Sequence, residues 1–168
     1  MNAQNNNVEL WAAIEGYGGA YSISSHGRTK SFKQRTEGKI LRPGITRGYG
    51  RVVLTHDGVR KYLRVHRLVA AAFLPPPAAE QTDVDHIDMN RSNNHADNLR
   101  YATQSQNMAN TRPRRALPKG VYARYGRFQA RISIGRTINL GTYDTVEQAA
   151  DAYAVAALAR WGVFARFG

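Results

Sequence analysis

The stretch that decides how this chain folds is residues 83–110, which run D-V-D-H-I-D-M-N-R-S-N-N-H-A-D-N-L-R-Y-A-T-Q-S-Q-N-M-A-N. It concentrates carboxylate, imidazole and carboxamide side chains in a short span. Such groups hold hard divalent cations and move protons near neutral pH. We therefore expect a polar site here rather than a piece of the hydrophobic core.

The order of residues in this stretch predicts a strand, a long loop, a second strand and a helix. Residues 82–87 and 99–102 suit short strands, whereas residues 88–98 are too rich in Asn, Asp and Ser for anything but a loop. Thr103 and Gln106 form a Thr-x-x-Gln capping box, which satisfies the free amides of a first helical turn. A helix is therefore expected to begin at Thr103.

Strongly basic segments lie on both sides of the stretch. The chain has 24 Lys and Arg against 12 Asp and Glu, a formal net charge of +12. Residues 28–64 contain only the acids Glu37 and Asp57, and residues 112–136 contain no acid. This distribution predicts salt-dependent binding of a nucleic acid backbone. A merely solvated basic face and an RNA partner remain open alternatives.

The composition also limits the class of protein. There is no cysteine, which excludes a disulfide framework and a thiolate zinc site and suits a reducing compartment. No window contains the run of about 18 apolar residues that a membrane span needs, so no membrane partner is expected. The hydrophobic fraction of 42% is enough for real cores.

The N-terminal part is predicted to be a small β-rich module. Residues 1–8 are polar and are expected to be a disordered tail, and residues 9–61 form the basic module that follows. Its clearest element is a hairpin whose turn contains Asp57-Gly58. Arg28 and Lys30 are predicted either to contact DNA or to lie on a solvated strand edge.

A core helix is predicted over residues 66–73, ending before the prolines at 75–77. His66 borders this helix, where we expect a structural histidine rather than a ligand. Residues 62–111 together form the central domain of the predicted fold.

The C-terminal part begins with a basic linker, residues 112–118, whose Arg112, Arg114 and Arg115 are expected to contact phosphates. Residues 119–168 then form three strands and one helix. In the middle strand, apolar residues alternate with polar ones, so one face is apolar and the other basic. The apolar set is Phe128, Ala130, Ile132 and Ile134, and the polar set is Arg127, Gln129, Arg131 and Ser133.

The chemistry predicted for the central stretch is phosphodiester hydrolysis, which needs a base and a cation. His86 is the predicted base, and Asp85 and Asn107 offer the oxygen ligands that suit Mg2+ or Mn2+ better than Zn2+. Asn98 is expected to orient the His86 region. Neighbours on a regular strand point to opposite faces, so Asp85 and His86 share a site only where the strand ends or bends.

The pattern D-H-I-D-x-N-R-x-N-N, D-N-L-R-x-A-T and S-Q-N-x-x-N, preceded by V-H-R-L-V-A-x-A-F-L-P, resembles the HNH homing endonucleases of phages and mobile introns. The resemblance implies a ββα-metal finger with His86 as general base, Asp85 and Asn107 as metal ligands and Asn98 as the middle motif residue. The last motif position is Asn rather than His. The cytoplasm, of the host if the gene is a phage's, is the expected location.

The segments K-G-V-Y, G-R-F-Q-A-R-I and N-L-G-T-Y-D-T-x-E-Q-A-A-D-A-Y resemble the ethylene-response-factor (Apetala-type) DNA-binding domain. In that family a three-stranded sheet lies on one helix and enters the major groove. The residues that the resemblance turns toward DNA are Arg124, Arg127, Gln129, Arg131 and Arg136.

The sequence thus predicts an α+β protein: a basic N-terminal β-rich module, a central HNH finger, and a C-terminal antiparallel sheet on one helix. The predicted function is Mg2+-dependent cleavage of double-stranded DNA, site-specific and one strand at a time, by a monomer. A dimer on DNA stays open. The alternative is a DNA-binding transcriptional regulator without catalysis, in which the finger serves only as scaffold.

Overall fold

The computed structural model of the chain describes residues 8–113 and 116–167 and divides it into two compact units, 1–101 and 102–168. The fold is α+β, as predicted, with small sheets and little helix. The predicted disordered tail lies almost wholly outside the described residues.

The first unit contains two antiparallel sheets made from consecutive strands. The predicted Asp57-Gly58 turn is present, and both residues have positive φ, as the tight two-residue turns of hairpins require. The first sheet is formed by β1 (Trp11–Ala13), β2 (Tyr21–Ser24), β3 (Thr29–Ser31) and β4 (Lys39–Leu41), in that order. The second is formed by β5 (Gly44–Thr46), β6 (Tyr49–His56) and β7 (Val59–Arg64).

Helix α1 (Val65–Phe73) follows β7 directly and confirms the predicted core helix. Its apolar stripe is buried against the sheets because residues 65, 66, 69 and 70 fall on one side at helical spacing. It ends at Leu74, since the next residue is the first of three prolines. The core of the unit is formed by Ile23, Leu54, Val65, Val69 and Leu99 with their neighbours.

The central stretch begins with β8 (Asp83–His86), which pairs with β9 (Leu99–Ala102). The connection between them is the predicted polar loop, and only its last residues, Ala96–Asn98, form a 3-10 helix. Val84 and Leu99 pack against the core of the first unit. The two strands therefore fix both ends of the loop.

The second unit begins with α2 (Gln104–Ala109), and the predicted capping box between Thr103 and Gln106 is present in both directions. A three-stranded antiparallel sheet and α3 follow in the predicted order. Phe128, Ala130 and Ile132 contribute to the cores beneath the sheet, as their alternation predicts. The elements are β10 (Val121–Arg124), β11 (Arg127–Ser133), β12 (Thr137–Tyr143) and α3 (Val146–Trp161).

Gly120 is the tightest backbone approach in the second unit. A Cβ added there would lie 2.0 Å from Cδ2 of Tyr153 and 2.7 Å from the Arg131 carbonyl oxygen, at a φ of +77°. Gly126 has nearly the same φ, +73°, but nothing lies within 4 Å of the added atom. The two glycines therefore separate the effect of backbone strain from that of steric overlap.

We predict that Gly120→Ala lowers the free energy of unfolding by about 2–5 kcal/mol, because overpacking adds to left-handed strain. The matched variant Gly126→Ala should lose only about 1–2 kcal/mol. Urea denaturation followed by circular dichroism measures both. Equal losses in the two variants would contradict the close packing of Tyr153 on Gly120.

Candidate active site

Asp85 and His86 end strand β8, and both side chains are buried. The carboxylate of Asp85 accepts from Nε of Arg100 at 2.9 Å, and Nη2 of the same arginine lies 2.9 Å from the same oxygen. His86 instead lies among the rings of His66 and Tyr49. The two neighbours thus contact different surroundings, as alternation along a strand requires.

A cluster of three rings surrounds the predicted base. The ring centres of His66 and His86 are 5.0 Å apart in an edge-to-face arrangement, and Tyr49 lies 5.0 Å from His66 and 6.0 Å from His86. Burial, reinforced by repulsion from His86, Arg64 and Arg67, lowers the pKa of His66 to about 3. His66 is therefore a neutral, buried ring beside His86.

His66 is not the satisfied structural histidine that the sequence suggested. Its Nδ1 is buried and, among the residues that the structure describes, finds no hydrogen-bond partner. An unpaired buried polar atom costs free energy. The position of His66 in the ring cluster was not foreseen from sequence, although His66 lies in the buried stripe of α1.

The side chain that contacts the His86 ring is Asn94, in the loop. Oδ1 of Asn94 lies 3.1 Å from Nε2 of His86, and Nδ2 of Asn94 faces the Ser92 carbonyl oxygen at 3.4 Å. Gly27, with a φ of +81°, approaches so closely that an added Cβ would lie 2.7 Å from Cβ of Asn94. The turn of the first sheet therefore supports the residue that contacts the predicted base.

Asn98 holds the loop rather than the His86 ring. Its Oδ1 accepts from the Asp88 amide at 3.0 Å, and its Nδ2 donates to Asp88 Oδ1 at 2.9 Å and to the Asn93 carbonyl at 2.8 Å. The Asn98 carbonyl also accepts from the amide of Ile87 at 2.8 Å. Asn98 thus fixes the backbone immediately after His86, so its effect on the base is indirect.

The same network keeps Asp88 ionised. Desolvation opposes ionisation, but hydrogen bonds from the Asn93 side chain, the Asn90 amide and the Asn98 side chain, with attraction to His86, lower the pKa of Asp88 below its ordinary value. Asp88 therefore serves as an acceptor that closes the loop. Asp88 belongs to the loop that the composition of residues 88–98 predicts.

Asn107, the second predicted metal ligand, lies half-buried on α2 in the second unit.

Three side chains anchor α2 within that unit. Lys119 donates to the carbonyls of Met108 and Ala109 at 3.1 and 2.7 Å, and burial lowers the pKa of its ammonium. Trp161 donates to Ser105 Oγ at 2.9 Å, and Arg166 to Asn110 Oδ1 at 3.0 Å. The short helix that carries Asn107 is thus anchored by the C-terminal module.

The donor set limits which metal can bind. Within residues 8–113 and 116–167, no three His, Asp or Glu side chains are close enough to form a metal cluster. Asp85 and Asn107, the ligands predicted from sequence, each carry a hard oxygen of the kind that hard divalent ions prefer. A closed zinc site of protein ligands does not fit these residues.

The predicted DNA contacts in the first unit are engaged within the protein. Arg28 forms an ion pair with Glu9 and donates to it through Nε, and the Lys30 ammonium lies 4.2 Å from the centre of the Trp11 ring. Arg28 lies in the turn between β2 and β3, and Lys30 lies in β3. Whether they contact DNA stays a prediction.

The outer face of the C-terminal sheet carries several of the other predicted contacts. Arg131 stacks over Tyr122 at 5.2 Å and donates twice to Gln129 Oε1. Gln129 is buried, so it orients Arg131 rather than presenting its own amide. Arg124, Arg127, Arg136 and, before the sheet, Arg112 are exposed, and Arg127 pairs with Asp144 at 2.7 Å. Arg114 and Arg115 lie outside the described residues.

Two segments of the chain match models of known protein families. Residues 63–109 match the family model described as HNH endonuclease, and residues 9–55 match that of the NUMOD4 motif. Residues 63–109 are thus similar to HNH endonucleases, and residues 9–55 to the NUMOD4 motif. These comparisons support the predicted resemblance in its central part, but give no support to the likeness of the C-terminal part to the ethylene-response-factor domain.

Two named proteins are similar in sequence to this chain. The DNA endonuclease I-HmuI of Bacillus phage SP01 is 41% identical over 108 residues, 64% of this chain and 60% of that protein. The uncharacterized HNH endonuclease L245 of Acanthamoeba polyphaga mimivirus is 38% identical over 89 residues, 52% of this chain and 26% of that protein. The chain thus spans less than two thirds of either relative.

A solved structure is also similar to this chain. The structure entitled "DNA binding and cleavage by the HNH homing endonuclease I-HmuI" matches with a TM-score of 0.53 and 39% identity, covering 59% of this chain and 55% of that one. In the described part of the chain, no helix is long and apolar enough to cross a membrane.

We predict that His66 makes the stability of the protein depend on pH between about 3 and 6.5. Its folded pKa is lowered, so the unfolded chain binds more protons in this window, and stability falls as the pH falls through it. Thermal melting from pH 4 to 7 should show a weaker slope in His66→Phe than in the unsubstituted protein. The variant His56→Phe, altered at an exposed histidine, should keep the full slope; equal slopes in all three would refute the prediction.

Proposed function

We propose that this chain is a metal-dependent endonuclease that hydrolyses phosphodiester bonds of double-stranded DNA at specific sites, one strand at each visit. The observation that carries the proposal is the buried His86 next to Asp85 at the end of β8, inside the segment that matches the HNH endonuclease model. The phage relative named DNA endonuclease supports the same substrate. As a place of action we propose the cytoplasm of the host cell.

The proposed general base is His86, and Asn94 determines which of its nitrogens is basic. Nδ2 of Asn94 faces the Ser92 carbonyl, so Oδ1, an acceptor, faces Nε2 of His86. The proton of the neutral ring therefore resides on Nε2, and Nδ1 has the lone pair. In this proposal the neutral imidazole of His86 takes the proton from the attacking water.

Asp85 and Asn107 are the proposed ligands of a Mg2+ ion, with Mn2+ as a substitute. A bound cation neutralises charge on the phosphoryl and leaving oxygens. Arg100 orients the carboxylate of Asp85 through one of its oxygens. Charge-assisted bonds of this kind hold a ligand's geometry before the ion arrives.

Both flanking modules are proposed to hold the DNA while the central stretch cuts it, and the C-terminal sheet is proposed to do so in the manner of the ethylene-response-factor domain. Arg131 is preorganised for this because Gln129 and Tyr122 fix its guanidinium. The remaining proposed contacts are Arg28, Lys30, Arg112, Arg114, Arg115, Arg124, Arg127 and Arg136. We propose a monomer, which has one active site and therefore nicks.

A second function, a regulator that binds DNA without cutting it, is favoured by one observation. Arg100 already neutralises the carboxylate that should bind the metal. In such a protein the finger would serve as a scaffold. The cleavage assay below separates the two.

We predict that His86→Ala reduces nicking of supercoiled DNA to background, because no other group in the ring cluster can replace the base. His66 stays neutral but lacks the Asn94 contact that the structure gives to His86. Conversion of supercoiled plasmid to open circles with Mg2+, and with chelator, measures the activity. Asn94→Ala should nick DNA at an intermediate rate, because it removes the contact that fixes the tautomer of His86 but keeps the imidazole.

The control is DNA binding by the same variants in chelator, which should match the unsubstituted protein. Open circles that require both Mg2+ and His86 support the nuclease. Tight binding with identical background cutting by the unsubstituted protein and His86→Ala would refute the nuclease and leave the regulator.

We predict that Arg131→Gln weakens duplex binding and reduces the slope of log Kd against log salt by about one, as expected for one lost phosphate contact. The matched control is Arg160→Gln, which removes the same charge from the exposed side of α3. Fluorescence anisotropy at several salt concentrations measures both slopes. Equal changes of the salt slope in Arg131→Gln and Arg160→Gln would mean that binding depends only on net charge, which would contradict a phosphate contact at Arg131.

A further inference from the structure

We propose that His26 and His95 are positioning residues for the predicted base, and that the turn between β2 and β3 acts through them on His86. The turn, residues 25–27, faces residues 94–96 of the polar loop, and we name these two segments together the turn–loop junction. Neither histidine is among the site residues predicted from sequence. The inference rests on the proposed function, because a general base must be held in place to take a proton from water.

The two segments of the junction face each other in reverse order. The Ala96 amide donates to the carbonyl oxygen of Ser25 at 2.8 Å. The rings of His26 and His95 lie one against the other, with 4.5 Å between their centres and a tilt of 32° between their planes. Aromatic rings at this separation prefer specific orientations, so the pair fixes the direction of the rings as well as their distance.

Gly27 extends the junction to the residue that contacts the predicted base. A Cβ added to Gly27 would lie 2.7 Å from Cβ of Asn94 and 3.3 Å from the Asn94 carbonyl oxygen. Oδ1 of Asn94 in turn lies 3.1 Å from Nε2 of His86. The turn is therefore connected to the His86 ring through one intervening side chain.

The turn is a firm support because hydrogen bonds hold it within its own sheet. The Gly27 amide donates to the Ser24 carbonyl oxygen at 3.0 Å, and the Arg28 amide donates to Ser24 Oγ at 2.9 Å. The Ser25 amide donates to the Leu10 carbonyl oxygen at 2.9 Å, and Ser25 Oγ accepts from the Leu10 amide at 3.1 Å. Both serines are buried. The first sheet thus holds the turn from the side opposite the loop.

On the loop side, His95 connects the stacked rings to Asn94. His95 follows Asn94 directly in the chain, and its Nδ1 accepts from the Asp97 amide at 3.3 Å at the start of the 3-10 helix. Rotation of the His95 ring away from His26 would break this hydrogen bond. Removal of the His26 ring takes away the support of residues 94–96, so Asn94 is no longer fixed beside His86.

A buried nitrogen of His26 separates the contribution of its ring shape from that of its polarity. Nε2 of His26 finds no hydrogen-bond partner among residues 8–113 and 116–167. A buried polar atom without a partner costs free energy. His26→Phe keeps a planar ring against His95 and removes this atom, so it should be at least as stable as the unsubstituted protein. It is therefore the conservative variant for testing a role in positioning.

The first test removes or conserves the ring at position 26. With saturating supercoiled DNA and Mg2+, His26→Ala should lower kcat for nicking about tenfold, as expected when a base is displaced, and His26→Phe should restore it. The Kd for duplex DNA in chelator should be the same in both variants. His56→Ala, at a half-exposed histidine outside the junction, is the control. Equal kcat in His26→Ala and His56→Ala would overturn the proposal.

The second test uses two glycines of the same module. Gly27 and Gly16 have φ values of +81° and +76°, but nothing lies within 4 Å of a Cβ added to Gly16. Alanine introduces the same backbone strain at both positions, and only Gly27→Ala displaces Asn94. We expect nicking to slow in Gly27→Ala and not in Gly16→Ala; equal rates in the two variants would contradict the proposal.

A third measurement reads the base without DNA cleavage. The 15N chemical shifts of a histidine ring report which nitrogen is protonated, and the His86 signal is identified by its loss in His86→Ala. His26→Ala and Gly27→Ala should shift this signal toward a mixture of tautomers, as Asn94→Ala does, whereas His26→Phe and Gly16→Ala should not. An unchanged His86 signal in the first two variants would overturn the proposal at any nicking rate.

The failure of this inference is distinct from that of the proposed function. Thermal melting verifies that each variant is folded, and His26→Ala decides the test if Gly27→Ala does not fold. If the unsubstituted protein does not nick DNA, the nuclease fails and the His86 signal alone decides the inference. If it nicks and the junction variants keep both kcat and the His86 signal, only the inference fails.

Discussion

The closed polar loop between β8 and β9 is the constraint on which the candidate site depends. Asn98 closes it with three side-chain hydrogen bonds, to the amide and the carboxylate of Asp88 and to the Asn93 carbonyl. Because the loop is closed, Asn94 faces the ring of His86 and Arg91 faces Tyr49. Bonds from the Asn90 amide and the Asn93 side chain to the Asp88 carboxylate add to the order of a segment rich in Asn, Asp and Ser.

Burial of ionisable groups is the second theme of the site. His66 and His86 share a pocket in which two positive charges are unfavourable, and the lowered pKa of His66 resolves the conflict by leaving that ring neutral. Asp85 is buried too, but an arginine compensates its charge. The candidate site thus combines a neutral imidazole beside His86 with a carboxylate that Arg100 orients.

The modules flanking the central stretch contribute to it structurally. In the first unit, the turn that contains Gly27 contacts Asn94, and the Ala96 amide donates to the Ser25 carbonyl at 2.8 Å. In the second unit, Lys119, Trp161 and Arg166 anchor the helix that carries Asn107. The modules whose positive charge predicts nucleic acid binding therefore also support the candidate site residues.

The sequence by itself determined the elements whose signals are local. Alternation predicted the faces of β11, the Asp-Gly turn predicted the β6–β7 hairpin, and the capping box predicted the start of α2. Spacing and resemblance also identified His86 as the candidate base. These signals depend only on residues close together in the chain.

Only the tertiary structure decided which side chains meet. The Asn94 contact with His86, the arginine on Asp85, the buried His66 and the stacking of Arg91 on Tyr49 join residues that are far apart in sequence or belong to different elements. A loop of many carboxamides offers several equivalent partners for one imidazole, and sequence alone cannot choose among them. The choice comes from packing, because Gly27 packs closely against Asn94 and the pairing of β8 with β9 fixes both ends of the loop.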